Sequence, residues 1–316
     1  MRGLLLCVFG VTSFIAAGCG TDIQPPAPDE REVRGQDISL PVNGSWSPDT
    51  TQVGRIPASS GSIEIEDVGT FEFDPTAIET LRPDIFRDGH FSLFDVLVHV
   101  AEAQGIAMEY HFDGAMDTHI IDSLDGELNW WYQAHYSSGW FEPNAFRMDM
   151  YPYKDNTTIR VYHGSEDRIA RICETFADEV RRLQKNNGEV VVPSVSVQDP
   201  GGTRVFEDVV VTAHNVRSDV LQEGVITALD IILSLGEQGE FSEVGLTWYP
   251  TIARADPVDH YFIERIDEAE VYGRCGYVYE VGSRQFAGFS GSHIHIPTDT
   301  RVIISPEYAM WFWLCL

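Results

Sequence analysis

Apolar and polar residues alternate over Ser62 to Val68, where Ile63 and Ile65 share one face. Val209-Val-Val-Thr-Ala213, Ile159-Arg-Val161 and Arg301-Val-Ile-Ile304 are short β-branched runs. Branched side chains suit a pleated, half-buried surface, so these segments predict strands. Elsewhere the apolar period is helical. Leu93, Phe94, Leu97, Val100 and Ala101 fall on one face, as do Leu229, Ile232 and Leu233. Both stretches open on a hydroxyl residue with Asp three positions later, Ser92-Leu-Phe-Asp95 and Thr227-Ala-Leu-Asp230. The hydroxyl accepts from the third amide and the carboxylate accepts from the cap amide, a reciprocal start for a helix. A third helix is predicted from Ser165 to Gly188, with Glu166 and Asp167 in its first turn and Arg181, Arg182 and Lys185 in its last. Its apolar stripe is Ile169, Ile172, Cys173, Phe176, Val180 and Leu183.

These elements recur in order. Asp88-Gly-His-Phe-Ser-Leu-Phe-Asp-Val-Leu97 matches Glu223-Gly-Val-Ile-Thr-Ala-Leu-Asp-Ile-Ile232 at an offset of 135 (223 minus 88). Ile121-Asp-Ser-Leu-Asp125 matches Ile263-Glu-Arg-Ile-Asp267 at 142, and Asn156-Thr-Thr-Ile-Arg-Val161 matches Asp299-Thr-Arg-Val-Ile-Ile304 at 143. Ordered matches with slowly growing offsets indicate an internal repeat with small loop insertions in its second copy. The expected architecture is α+β: two tandem units over residues 62–163 and 189–316, each a mixed sheet with one packed helix, joined by an amphipathic helix over 164–188.

The beginning of the chain has a different character. Arg2 precedes an apolar stretch from Gly3 to Ala17, too short and interrupted for a spanning helix but suited to a secretory signal. It ends in Ala16-Ala17-Gly18-Cys19, which resembles the bacterial lipobox. That resemblance implies cleavage after residue 18 and a diacylglyceryl group on Cys19, hence an exported protein anchored in a lipid bilayer. Residues 20–61 contain Pro25, Pro26, Pro28, Pro41, Pro48 and Pro57 among small and polar residues, without strand or helix periodicity. They read as a flexible tether reaching on the order of 35 Å.

Composition narrows the partners. Against 49 Asp plus Glu the chain has 21 Lys plus Arg, a formal charge of -28. A nucleic-acid interface needs a basic footprint, so nucleic acid is excluded as the expected partner. Lys154 and Lys185 are the only lysines.

Several motifs resemble a known family. Ser92 to Ala103, Ile121-Asp-Ser-Leu-Asp-Gly126, Trp130-Trp-Tyr132 and Asn156 to Val161 are similar to the bacterial β-grasp lipoprotein domain related to the transcobalamin C-terminal domain. Thr227 to Leu235, Ile263 to Asp267, Gly276-Tyr-Val-Tyr279 and Asp299 to Ile304 resemble it more faintly. The resemblance implies two extracytoplasmic β-grasp-like units that bind a small molecule, cobalamin in the eukaryotic relatives. The family's "V-N-G" turn is replaced here by Ala134-His-Tyr-Ser-Ser-Gly-Trp140, which puts the family ligand in question.

The candidate ligand surface is aromatic: Trp130, Trp131, Tyr132, Tyr136, Trp140 and Phe141. Trp130 and Trp131 must point to opposite faces of a strand, so one enters the core while the other can face a flat ligand such as a corrinoid, tetrapyrrole or sugar. His293 and His295 share a face of a predicted strand and offer two imidazoles, but metal binding needs a third ligand that the spacing does not provide. Cys275 and Cys315 are paired as a disulfide pinning the aromatic C-terminal segment, while Cys173 is expected buried and reduced. No G-x-S-x-G, P-loop, dinucleotide or C-x-x-C motif occurs. The expectation is therefore a non-enzymatic, membrane-anchored binding protein without a cofactor, serving a small-molecule ligand and a transporter. The alternative is a structural or adhesive surface lipoprotein that meets a protein or glycan.

Overall fold

A computed structural model describes residues 37–41 (backbone only), 53–136, 143–252, 255–294 and 296–315. The signal stretch with Cys19, most of the tether, Trp140, Phe141 and His295 lie outside the described residues. The chain is α+β. The first strand, β1 (Asp37–Pro41), pairs antiparallel with residues 243–247. The tether reading of residues 20–61 does not extend to this segment. Nor does it extend to Gly54 and Arg55, whose amides donate to Asp219 (2.7 Å) and Asp259 (3.1 Å). Backbone pairing requires no apolar pattern, so composition could not reveal it.

The first half begins with a hairpin, β2 (Gly61–Ile65) and β3 (Gly69–Phe73). Next comes α1 (Leu93–Gln104). Ser92 Oγ accepts from the Asp95 amide at 3.2 Å and Asp95 accepts from the Ser92 amide at 2.7 Å, the reciprocal cap read from the sequence. Gly105, at φ 69°, closes the helix in the left-handed conformation that glycine adopts without strain. Leu93, Phe94, Val96, Leu97, Val100 and Ala101 are all buried, each large one contributing about 1.5–3 kcal/mol. A separate hairpin, β4 (Met108–Asp113) and β5 (Thr118–Leu124), precedes β6 (Trp130–Tyr136) and β7 (Thr157–His163). The sheet order is β3-β2-β7-β6, with β2 and β7 parallel and the outer pairs antiparallel.

The connecting helix α2 (Glu166–Lys185) is capped by Ser165 and buries Ile172, Phe176 and Val180. The second half follows with a longer hairpin, β8 (Val190–Asp199) and β9 (Gly202–Val211), and then α3 (Ala228–Glu237). Thr227 and Asp230 cap α3 as Ser92 and Asp95 cap α1. After it come β10 (Glu243–Tyr249), β11 (His260–Ile266), the short β12 (Ala269–Glu270), β13 (Cys275–Gly282) and β14 (Tyr308–Cys315). One sheet is ordered β9-β8-β14-β13, with β8 and β14 parallel. A second, β1-β10-β11-β12, is built on the β10–β11 hairpin. Cys275 and Cys315 lie opposite each other in β13 and β14 and are joined by a disulfide, while Cys173 is a free, partly buried thiol.

Two strand expectations are corrected. Residues 301–304 form no strand: Val302 makes a single bridge to Thr227, and the Ile303 amide donates to Ile226 O at 2.9 Å, docking the segment on the start of α3. Pro152 bridges Ser92 in the same way. β14 pairs parallel with β8, Ala309 opposite Val195, as β7 pairs parallel with β2, Ile159 opposite Ile63. Ile159 and Ala309 are 150 positions apart (309 minus 159), whereas the sequence match of residues 299–304 has an offset of 143. The predicted strand around His293 is likewise an irregular segment.

Candidate functional site

The aromatic residues of β6 divide by face. Trp130 is buried, and its indole donates to Leu124 O (3.1 Å) and Glu127 O (3.0 Å). Tyr132 is buried with its hydroxyl on Phe146 O (2.8 Å). Trp131 points the other way, but α2 covers that side: its ring lies 6.4 Å from Phe176, and its indole donates to Asn144 O (2.8 Å). These three rings thus serve packing rather than an open platform. Tyr136, at the end of the strand, lines a cavity.

That cavity encloses about 560 Å³, within the range of small-molecule sites. Tyr136 and Lys154 enter from the first half. Phe262 of β11, Tyr277 and Tyr279 of β13, Trp311 of β14, and His293, Ile294, Ile296, Pro297 and Thr298 supply the second half's wall. Although the chain has 49 acids, none lines the cavity among the described residues. His293 belongs to the wall, and no group of three or more metal-ligating side chains occurs among the described residues.

Tyr136 Oη, Tyr277 Oη and Trp311 Nε1 have no hydrogen-bond partner among the described residues, and each of these atoms is closed off from water and so from the cavity space, although other parts of the three side chains line the wall.

Lys154 is placed by a turn. Pro152 is bridged to Ser92, the Thr157 amide donates to Lys154 O (3.1 Å), and Asn156 adopts φ 67° before β7 begins. Asn156 Nδ2 donates to Asp256 O at 2.6 Å, fastening this turn to the second half. The Lys154 ammonium lies 3.6 Å from the centre of the Tyr136 ring, a cation–π contact. It has no ion-pair partner among the described residues. Burial pulls its pKa down to about 7, Asp299 opposing and Arg217 reinforcing that fall.

Behind the amine, a niche of about 40 Å³, large enough for a water molecule, is bordered by His90, Arg217, Asp259 and His260. Asp299 anchors this charged layer. It accepts from Arg217 (3.0 Å), from the Tyr261 amide (2.9 Å) and from His260 Nδ1–H (2.7 Å). Arg217 also forks onto Asp219 at 2.9 Å through two nitrogens. Burial alone would raise Asp299, but His260 and Arg217 hold it down to about 2. Burial lowers His260 to about 4 despite Asp299, leaving it neutral at pH 7.

The first half carries a parallel arrangement. Asp149 accepts from Arg82 (3.1 Å), Thr118 (2.6 Å) and the His119 amide (2.9 Å), and Arg82 also pairs with Asp84 (2.8 Å). Arg82 and Asp84 stand 135 positions before Arg217 and Asp219, and Asp149 stands 150 before Asp299. The motifs Arg82-Pro-Asp84 and Arg217-Ser-Asp219 share the offset of the helix caps, a signal that the sequence reading overlooked.

The chain matches no protein-family model, no curated protein and no solved structure. Among the described residues, no helix is long and apolar enough to cross a membrane.

Proposed function

We propose that the protein is an exported, lipid-anchored binding protein that holds a small, largely apolar molecule in the 560 Å³ cavity between the Lys154 turn and the β13–β14 wall. The observation carrying this reading is the wall itself, aromatic and aliphatic, with Lys154 as its one charged side chain among the described residues. Binding pockets have this make-up: mostly apolar, with a few polar groups that fix orientation. The cavity also draws on both halves of the chain, and junctions between packed units favour such sites.

The two halves are two β-grasp-like units of common ancestry in this proposal. Support comes from the sheet orders β3-β2-β7-β6 and β9-β8-β14-β13, the equivalent caps on α1 and α3, and the paired Arg–Asp clusters. Anchoring rests on the lipobox-like residues ending at Cys19, and delivery of the ligand to a transporter fits that address. Cys19→Ser is expected to move the protein from the membrane fraction to the soluble fraction, as seen by immunoblotting.

A thermal-shift screen with corrinoids, haem, sugars, fatty acids and aromatic acids tests the cavity. A compound at a hundredfold excess over its Kd stabilises by about 2.7 kcal/mol, which raises Tm by roughly 5–10 °C. The bound compound should also change tryptophan fluorescence, and Trp311→Phe should remove that change. If every compound leaves Tm unaltered, the cavity is not a binding site for these classes.

A further inference from the structure

Resting on the cavity reading above, we propose that the ligand is an amphipathic carboxylate, its anionic group anchored by Lys154 and its hydrocarbon or aromatic body laid against Phe262, Tyr277 and Tyr279. The polar groups on the wall carry the choice of charge. Lys154 offers N–H donors only and is the one charged side chain on the wall among the described residues. Dedicated acceptors are scarce by comparison, and carboxylates are absent from the wall among the described residues. A cationic ligand would find no counter-charge there and would meet the Lys154 ammonium. A sugar, which needs acceptors and donors in similar number, would leave many hydroxyls unmatched.

Lys154 itself favours an anion. It points toward the cavity with an aromatic ring beneath it and no carboxylate in ion-pair range among the described residues. In a chain with 49 acids and only two lysines, such isolation is unusual. Its neighbours across the niche are Arg55, Arg217, His90 and His260 together with Asp259 and Asp299, and the acids are engaged by the arginines. An incoming carboxylate therefore supplies the charge that Lys154 lacks, through charge-assisted hydrogen bonds. The apolar wall excludes a bare small anion as the preferred ligand, because only a larger body covers Phe262 and Tyr279.

Matched pairs differing only in the head group provide the test. Decanoate and decanol, and naphthoate and naphthylmethanol, are titrated into the purified protein at pH 6.5, with calorimetry and tryptophan fluorescence as readouts. The acids are expected to bind about tenfold to a hundredfold more tightly than the alcohols, the range of a charge-assisted hydrogen bond. Lys154→Met should abolish that preference, acid and alcohol then binding the variant with equal affinity. As a measurement without substitution, decanoate should protect Lys154 from acetylation in the native protein, relative to Lys185, as quantified by mass spectrometry. Equal binding of acid and alcohol, or acetylation of Lys154 undisturbed by bound acid, overturns the carboxylate assignment and leaves the cavity reading standing. Failure of both acids and alcohols to bind removes the cavity reading and this inference with it.

Discussion

Replacing Asp299 with alanine is expected to destabilise the protein by about 3–5 kcal/mol, the cost of leaving a buried cation without its partner. Asp299 is fully buried and Arg217 is 2% exposed, so neither water nor a mobile surface group can take the lost place. His260 and the Tyr261 amide lose an acceptor in the same step. Asp299→Asn keeps the shape and one acceptor oxygen and should cost about half as much. Urea unfolding should show a lower midpoint at unchanged slope for both variants. A loss below about 1 kcal/mol for Asp299→Ala would show that the cluster does not hold this part of the fold together. Asp149→Ala breaks the corresponding cluster around Arg82 and should fall in the same range.

The cluster also sets a direction for pH. His260 is neutral in the fold at about 4, against an ordinary 6.5, so the unfolded chain takes up that proton first and stability falls as pH drops from about 6.5 to 4. Asp299, held at about 2, contributes stability above the ordinary carboxylate value of 3.8 that is lost as pH falls through 2. His214 acts in another window: burial would lower it, but Asp230 raises it, so its contribution is complete below the ordinary histidine value and is lost only as pH rises above it. Below that value His260 and Asp299 therefore give a loss of stability toward acid that His214 does not offset.

Local signals in the sequence translated well into structure. The Ser92–Asp95 and Thr227–Asp230 caps depend on residues three apart, and the acidic start and basic end of α2 depend on one turn each. Non-local relations were less legible. Residues 301–304 have the β-branched composition of a strand, yet they dock on α3, while the strand that pairs parallel with β8 is the aromatic segment Tyr308–Cys315. Alternation along β6 placed Trp130 and Tyr132 on one face and Trp131 on the other. Only the tertiary packing of α2 decided that Trp131 would be covered. The cavity was harder still, because Lys154 and Trp311 are 157 positions apart (311 minus 154) and meet through a turn that crosses to the other half. The available hint was compositional: one of only two lysines stands just before a strand.

Lys154→Met is expected to stabilise the ligand-free protein by about 3 kcal/mol at neutral pH, so that the same substitution that removes carboxylate preference strengthens the fold. The displacement of the amine from its ordinary 10.5 to about 7 corresponds to about 4–5 kcal/mol between charged and neutral forms, and solvent reaching the cavity reduces it. Methionine has a comparable length, packs on Tyr136 and removes the desolvated charge. The sign with pH follows from proton uptake. Between about 7 and 10.5 the unfolded wild-type chain holds a proton that the folded one has shed, so wild-type stability rises with pH across this window. The advantage of Lys154→Met should therefore be largest at pH 7 and below and shrink toward pH 10. Urea midpoints for the two proteins at pH 6.5, 8 and 9.5 measure this directly. Carboxylate binding should narrow the difference from the other direction, by stabilising the wild type more than the variant. A methionine variant less stable than wild type across the whole range would mean that the amine supports the fold, and its isolation on the cavity wall would then carry no functional meaning. A gain that shrinks at high pH and in the presence of decanoate marks a residue kept at a cost to stability for what it binds.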